Sequence, residues 1–273
     1  MKARKRFGQH FLEPVWTVRV ADAIAPAPDE TFVEVGPGTG ALTARLVEAG
    51  VDVVAIAIDR DLAARLRDRA LPRVHVLGAD FLDVAPRDVF EALENADRRR
   101  WRLVGNLPYN VSSPILRRLV DVWRPAGLLD ATVMLQAEVA RRVTARPGSG
   151  DYGPLAILVQ LHADVTPLLQ LPPGAFRPAP QVRSTLVGLQ FRAPRADIQD
   201  EALLAEVVRV VFTRRRKMLA NALAPLTPTG QSGAREVLRA AGLDPARRPE
   251  TLALDEIARL VGALASGRSG RMV

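Results

Sequence analysis

The stretch Thr31-Phe-Val-Glu-Val-Gly-Pro-Gly-Thr-Gly40, running on into Ala41-Leu-Thr-Ala-Arg-Leu-Val-Glu-Ala49, decides the fold. Its first five residues read as a buried strand and its last nine as a helix, with three glycines in the turn between them. Glycine lets a backbone turn tightly and approach a ligand with no Cβ in the way, here at the electropositive start of a helix. A dinucleotide fold prefers the order Gly-x-Gly-x-x-Gly, so Gly36, Gly38 and Gly40 favour an adenosyl ligand over a pyrophosphate. A purely structural turn is the competing explanation.

Outward from this turn, apolar runs typical of buried strands alternate with helical patterns: Val51–Ile58, Val74–Leu77, Trp101–Val104 and Ala131–Leu135. The rhythm predicts βαβ units and an α/β fold, an open and mostly parallel sheet with helices on both faces. Two further strands, near Leu155 to Val165 and Thr185 to Phe191, are expected to form an antiparallel hairpin that closes the sheet. Beyond Ala193-Pro-Arg195 the patterns are helical only, around Asp200 to Leu223, Gly230 to Ala241 and Leu254 to Ala265, between Pro and Gly turns. The expected division is a catalytic domain over 1–192 and a small, all-helical, RNA-contacting domain over 193–273.

A second chemical signal, Val104-Gly-Asn-Leu-Pro-Tyr-Asn110, lies at the C-terminal edge of a predicted strand, where open α/β sheets bind ligands. Its residue types suit methylation of an adenine amino group. The exocyclic N6 is a poor nucleophile because its lone pair is delocalised into the ring. An Asn106 side-chain oxygen and a main-chain carbonyl of Leu107 or Pro108 can accept both amino hydrogens, while Tyr109 offers a face for a flipped base. Pro108 stiffens the loop that carries those groups.

Composition bounds the rest. The 273 residues, 48% of them hydrophobic, allow one α/β domain and a smaller appendage. The absence of cysteine excludes disulfides, thiolate metal sites and a Cys nucleophile. His10, His75 and His162 are too scattered for a zinc cluster, so metal-free chemistry is expected. The basic start Met1-Lys-Ala-Arg-Lys-Arg6 is like that of an export signal, but Gln9, His10, Glu13 and Arg19 interrupt what would be its apolar core. With no run near the ~18 apolar residues of a spanning helix, a soluble, cytoplasmic protein is expected. A net charge of +8 points to a polyanionic partner, although basic surfaces also serve solubility alone. Arg214, Arg215, Arg216 and Lys217 are predicted on a helix of the second domain. With Arg4, Lys5 and Arg6 they would form a phosphate-binding rim; a solvated helix face is the alternative.

Over essentially its whole length the chain resembles the bacterial small-subunit rRNA adenine N6-dimethyltransferases (KsgA, also called RsmA). The matching stretches are Lys5–Leu12, Val35–Gly40, Gly105–Asn110, Tyr152–Leu155, Phe176–Ser184 and Phe212–Lys217. The resemblance implies a Rossmann-like class I methyltransferase sheet and S-adenosylmethionine as cofactor. It implies small-subunit rRNA in an immature ribosomal subunit as partner, with no membrane association, and a monomer is expected. It also implies cofactor contacts at Gln9, His10, Leu12, Gly36, Asp80 and Asn106, with Asp80 on the cofactor's adenine amino group, and Phe176 as an aromatic sandwiching the target adenine. Position 10 is often Asn in the family. Phe176 as plain core and Asp80 as a turn cap are the structural alternatives.

One departure matters. The family's second strand usually ends Ile-Glu-Ile-Asp, and its Glu receives the cofactor ribose; here it reads Ile56-Ala-Ile-Asp59. Ala57 follows Gly36 at about the 20-residue spacing of a ribose-binding acid. Asp59 lies about 6.6 Å further along the same strand face and belongs to the ordinary family pattern too. The missing Glu keeps open an rRNA-binding assembly factor with impaired catalysis. A large-subunit rRNA dimethylase is another alternative, which the Asn-Leu-Pro-Tyr and Tyr152-Gly-Pro-Leu segments disfavour; a DNA adenine methylase lacks a visible base-reading domain.

Overall fold

The computed structural model describes residues 9–93, 101–194, 198 and 200–269. In chain order the elements are β1 (Phe11–Leu12), α1 (Pro14–Ile24), β2 (Thr31–Val35), α2 (Ala41–Glu48), β3 (Asp52–Ile56), α3 (Arg60–Asp68), β4 (Val74–Leu77), α4 (Pro86–Ala92), β5 (Trp101–Asn106), α5 (Ser112–Arg118), β6 (Asp130–Gln136), α6 (Ala137–Thr144), α7 (Pro154–His162), β7 (Ala163–Leu171), β8 (Phe176–Arg177), β9 (Ser184–Phe191), α8 (Glu201–Thr213), α9 (Leu219–Leu223), α10 (Gln231–Ala240) and α11 (Leu254–Ser269). They fall into two compact units. The first holds the described residues up to Arg141 together with Asp164–Arg192, the second Arg142–Ala163 together with the described residues from Ala193 onward. The segment 142–163, which the sequence groups with the first domain, thus belongs to the second unit.

In the first unit seven strands form one sheet in the order β4-β3-β2-β5-β6-β9-β7, and β1 pairs with β8 in a separate two-stranded ribbon. β2, β3, β4, β5 and β6 run parallel, and β9 is antiparallel to β6. Parallel strands covered on both faces are apolar along their length, without in-and-out alternation. β2 shows this, with all five residues buried.

The predicted strand near Leu155 to Val165 is corrected. Residues 154–162 are helical, and the strand beside β9 begins only at Ala163. A short run that is apolar on every side reads the same as a buried strand or a buried helix. Pro154 at the first helical position tips the choice, since its fixed φ suits that position and its missing N–H costs nothing there.

The second unit is helical, and α8 explains why. Asp200 caps it by accepting the Leu203 N–H at 2.8 Å, and Leu203, Leu204, Val207, Val208 and Val211 make one apolar stripe at helical spacing. That stripe packs with Ile157 and Leu161 of α7, Leu219 and Leu223 of α9, Leu238 of α10 and Leu260 of α11. No described helix is long and apolar enough to cross a membrane.

At the end of the sheet where the parallel strands start, Arg102 joins three of them. Its guanidinium bonds Asp130 at 2.9 Å, Glu30 at 3.0 Å and the Ile24 carbonyl at 3.0 Å, and lies over the Phe32 ring. The side chain is only 15% exposed, so removing the cation strands two acids in a poorly solvated place. Arg102→Leu should therefore cost about 3 kcal/mol of stability in urea titration. A loss under about 1 kcal/mol would make the bridge equivalent to a surface pair.

Candidate active site

β2 is where the strand order reverses: the chain proceeds through β3 and β4 on one side, then through β5 and β6 on the other. Loops leaving the C-terminal ends of β2 and β5 diverge there and leave a crevice. An open cleft of about 840 Å³ occupies it. Gln9, His10, Leu12, Gly36, Gly38, Ala57, Asn106, Leu107, Pro108 and Tyr109, dispersed over a hundred residues, all line it.

The glycine turn forms one wall. Gly36 and Gly38 have φ of +71° and +59°, a region that costs an L side chain strain, and a Cβ on Gly38 would lie 2.9 Å from the Phe11 ring. Gly40 is different. It does not line the cleft; its φ is +78°, and a Cβ there would meet the side-chain ends of Leu66 on α3 and of Arg69 just beyond it at 2.6 Å.

Glu34, the one acid in the buried β2, also lines the cleft and was the residue most easily passed over in the sequence. It is 2% exposed. Burial pushes its carboxyl up to about 7 against the opposing pull of a 2.6 Å hydrogen bond donated by Thr43. An acid inside an otherwise apolar strand was the available signal. Ile58, 47% exposed at the cleft wall, offers an apolar surface of the kind a purine ring covers.

The opposite wall is the loop after β5. Asn106 Nδ2 donates to the His10 main-chain carbonyl at 2.6 Å, which turns the amide so that Oδ1 remains as an acceptor. Pro108 already accepts the Val111 N–H at 3.1 Å, whereas no described group donates to the Leu107 carbonyl, which leaves Leu107 the less committed of the two acceptors. The Tyr109 hydroxyl lies 2.9 Å from Ser184 Oγ on β9, and burial raises its pKa, with the Ser184 bond opposing.

The N-terminal segment lies along the cleft because β1 pairs with β8, Phe11 opposite Arg177 and Leu12 opposite Phe176. Gln9 Nε2 donates to Asp59 Oδ2 at 2.9 Å, and Asp59 Oδ1 accepts the Asp61 and Leu62 N–H groups as the cap of α3. Asp59 thus spends both oxygens on structure. Ala57, 4% exposed, puts only a methyl group into the cleft where the family pattern has a carboxylate.

One other sequence expectation is corrected, and two of the proposed site residues lie apart from the cleft lining. Phe176 is 2% exposed within the core cluster that holds Val20, Leu171, Ala175 and Leu186, paired across the ribbon with Leu12, which does line the cleft. Asp80 is absent from the cleft lining as well, its Oδ1 accepting the Leu82 N–H at 2.9 Å to close the turn after β4. The cluster Arg214–Lys217 is not on a helix. α8 stops at Thr213, and the four cations occupy the turn beyond it, where positive charge suits the helix C-terminus. Arg214, Arg216 and Lys217 are exposed there, while Arg215 donates to the Gly150 carbonyl at 3.0 Å. Arg4, Lys5 and Arg6 lie outside the described residues.

Known proteins match this architecture. The chain is 40% identical over 277 residues to ribosomal RNA small subunit methyltransferase A of Geobacter sulfurreducens, covering 98% of each chain. It is likewise 40% identical to the protein of that name from Leptothrix cholodnii, over 96% of this chain and 91% of that one. A dimethyladenosine transferase from Plasmodium falciparum superposes with a TM-score of 0.78 at 23% identity, covering 96% of this chain and 98% of that one. The 23S rRNA methyltransferase ErmE superposes with a TM-score of 0.67 at 25% identity, over 93% and 99% of the respective chains. Both superpositions bear out a methyltransferase-type α/β sheet followed by helices. The family model for ribosomal RNA adenine dimethylase matches residues 1–263, and the chain belongs to that family.

Proposed function

We propose that this protein dimethylates the N6 of adenines in small-subunit ribosomal RNA, taking methyl groups from S-adenosylmethionine, during ribosome assembly. One observation carries the chemistry: Asn106 Oδ1 and the Leu107 carbonyl stand together as uncommitted acceptors at the cleft wall. Two acceptors suit the two hydrogens of an amino group. Holding both favours a pyramidal nitrogen whose lone pair has left the ring, and costs no reorganisation when the base arrives. Tyr109, fixed by Ser184, gives the flipped base a face.

The cleft fits the cofactor. When bound, S-adenosylmethionine supplies an electrophilic methyl group on a positively charged sulfur. Gly36 and Gly38 allow close backbone approach, Ile58 offers apolar contact, and Glu34 supplies the buried acid that a cationic ligand favours in its charged form. Outside the first unit, Arg214, Arg216 and Lys217 provide exposed charge for RNA phosphates, and Arg4, Lys5 and Arg6 are proposed to add to it. On the same view the enzyme works as a monomer in the cytoplasm, on an immature small subunit. A second role, as an assembly factor with reduced turnover, is favoured by one observation, the methyl group of Ala57 in place of a carboxylate.

Asn106→Ala should nearly abolish methyl transfer to immature small subunits while RNA binding stays intact, because the amide acts on the reacting nitrogen and not on phosphates. Turnover above about a tenth of wild type, a loss under ~1.4 kcal/mol, would contradict the assignment. Ala57→Glu should tighten S-adenosylmethionine by roughly ten- to a hundredfold in calorimetric titration, the value of charge-assisted bonds to ribose hydroxyls at about 1.5–3 kcal/mol. Equal affinities would mean that another group already holds the ribose. Glu34→Gln tests the buried acid through stability. A carboxyl whose folded pKa lies above its unfolded value costs nothing below pH 4.5, costs progressively more up to about 7, and costs its full amount above that. The variant should therefore gain more in melting temperature over wild type at pH 8.5 than at pH 5, by an amount reflecting about 3 kcal/mol. A gain that is the same at both pH values would show that Glu34 does not titrate in this range.

A further inference from the structure

His10 touches both working parts of the Asn106–Asn110 loop. Its main-chain carbonyl accepts the Asn106 amide, and its imidazole stacks on the Tyr109 ring with centroids 5.4 Å apart and planes 25° from parallel. Each ring is anchored separately. His10 Nδ1 lies 2.7 Å from the Pro178 carbonyl oxygen, and a carbonyl only accepts, so Nδ1 carries the hydrogen and donates it. The Tyr109 hydroxyl is held by Ser184.

We propose that His10 is a positioning residue of the base site: its ring backs Tyr109 so that the two form one stacking platform for the target adenine, while its carbonyl sets the Asn106 amide. The inference rests on the adenine-methylating function proposed above. A base inserted between the rings would need two stacking separations of about 3.5 Å each, more than their 5.4 Å spacing allows. The adenine therefore takes the outer side of the pair. A tyrosine held only by its hydroxyl can still pivot; one also stacked on a pinned imidazole has lost that freedom before the base arrives, and the base is spared that ordering cost.

The two contacts separate experimentally, because every residue type at position 10 keeps the carbonyl and only the ring is lost on substitution. The test is methyl transfer to immature small subunits by wild type, His10→Ala, His10→Phe and Asn106→Ala, with cofactor affinity measured calorimetrically and folding checked by thermal melting. In His10→Ala, kcat/KM for the subunit at saturating cofactor should fall roughly tenfold, carried by KM with kcat little changed. His10→Phe, which keeps a stacking ring but loses the Pro178 anchor, should recover part of the loss. An unchanged subunit KM in His10→Ala, or no recovery at all in His10→Phe, would overturn the proposal. If Asn106→Ala is inactive while His10→Ala is normal, this inference alone fails; if Asn106→Ala remains active, the underlying function fails with it.

Discussion

The parallel pairing of β2 with β5, with Val35 opposite Gly105, is the constraint on which the site depends. It brings the glycine turn and the Asn106 loop out of adjacent strand ends to form the two walls of the cleft. The approach is close enough that a Cβ at Gly105 would lie 2.8 Å from the Val35 carbonyl oxygen and 3.1 Å from the Leu107 side chain. Only glycine fits there without pushing the strands apart or displacing Leu107, whose carbonyl is one of the two proposed acceptors. Gly105 thus shapes the cleft without lining it.

Charge is treated oppositely at the two ends of this sheet. Arg102, where the parallel strands begin, is fully matched by Asp130, Glu30 and a backbone carbonyl, and its cost of burial is offset. Glu34, at the end where ligands bind, has only Thr43 as partner and stays under-solvated, with its carboxyl near 7. A poorly satisfied buried acid at the ligand end of the sheet suits the proposed site for a cationic ligand.

The sequence made the strands and the two loops legible because each carries a local rule. Buried parallel strands are apolar runs, as at Thr31–Val35 and Ala131–Leu135, and ligand loops follow their C-terminal ends. What it hid was set by tertiary partners. Pro154 is the one local mark of Pro154–His162 as helix, and Phe176 looks equally suited to a base or a core until its burial is known. The choice between the Leu107 and Pro108 carbonyls depended on where the Val111 N–H turns, and the link from His10 to Asn106 spans 96 residues. Ala57 was the reverse case, visible in the sequence as a missing acid, with the structure adding that Asp59 is already committed to Gln9 and the α3 cap.

The Asn106 and Leu107 acceptors are proposed to act on an adenine N6 of small-subunit RNA. Mass spectrometry of the nucleosides released from ribosomal RNA, after incubating immature small subunits with this protein and isotopically labelled S-adenosylmethionine, tests this chemistry at its product. Labelled N6,N6-dimethyladenosine in the small-subunit RNA is the expected result. Label on a ring nitrogen, on ribose or on another base would contradict it, and label confined to large-subunit RNA in a parallel incubation would assign the same chemistry to a different substrate.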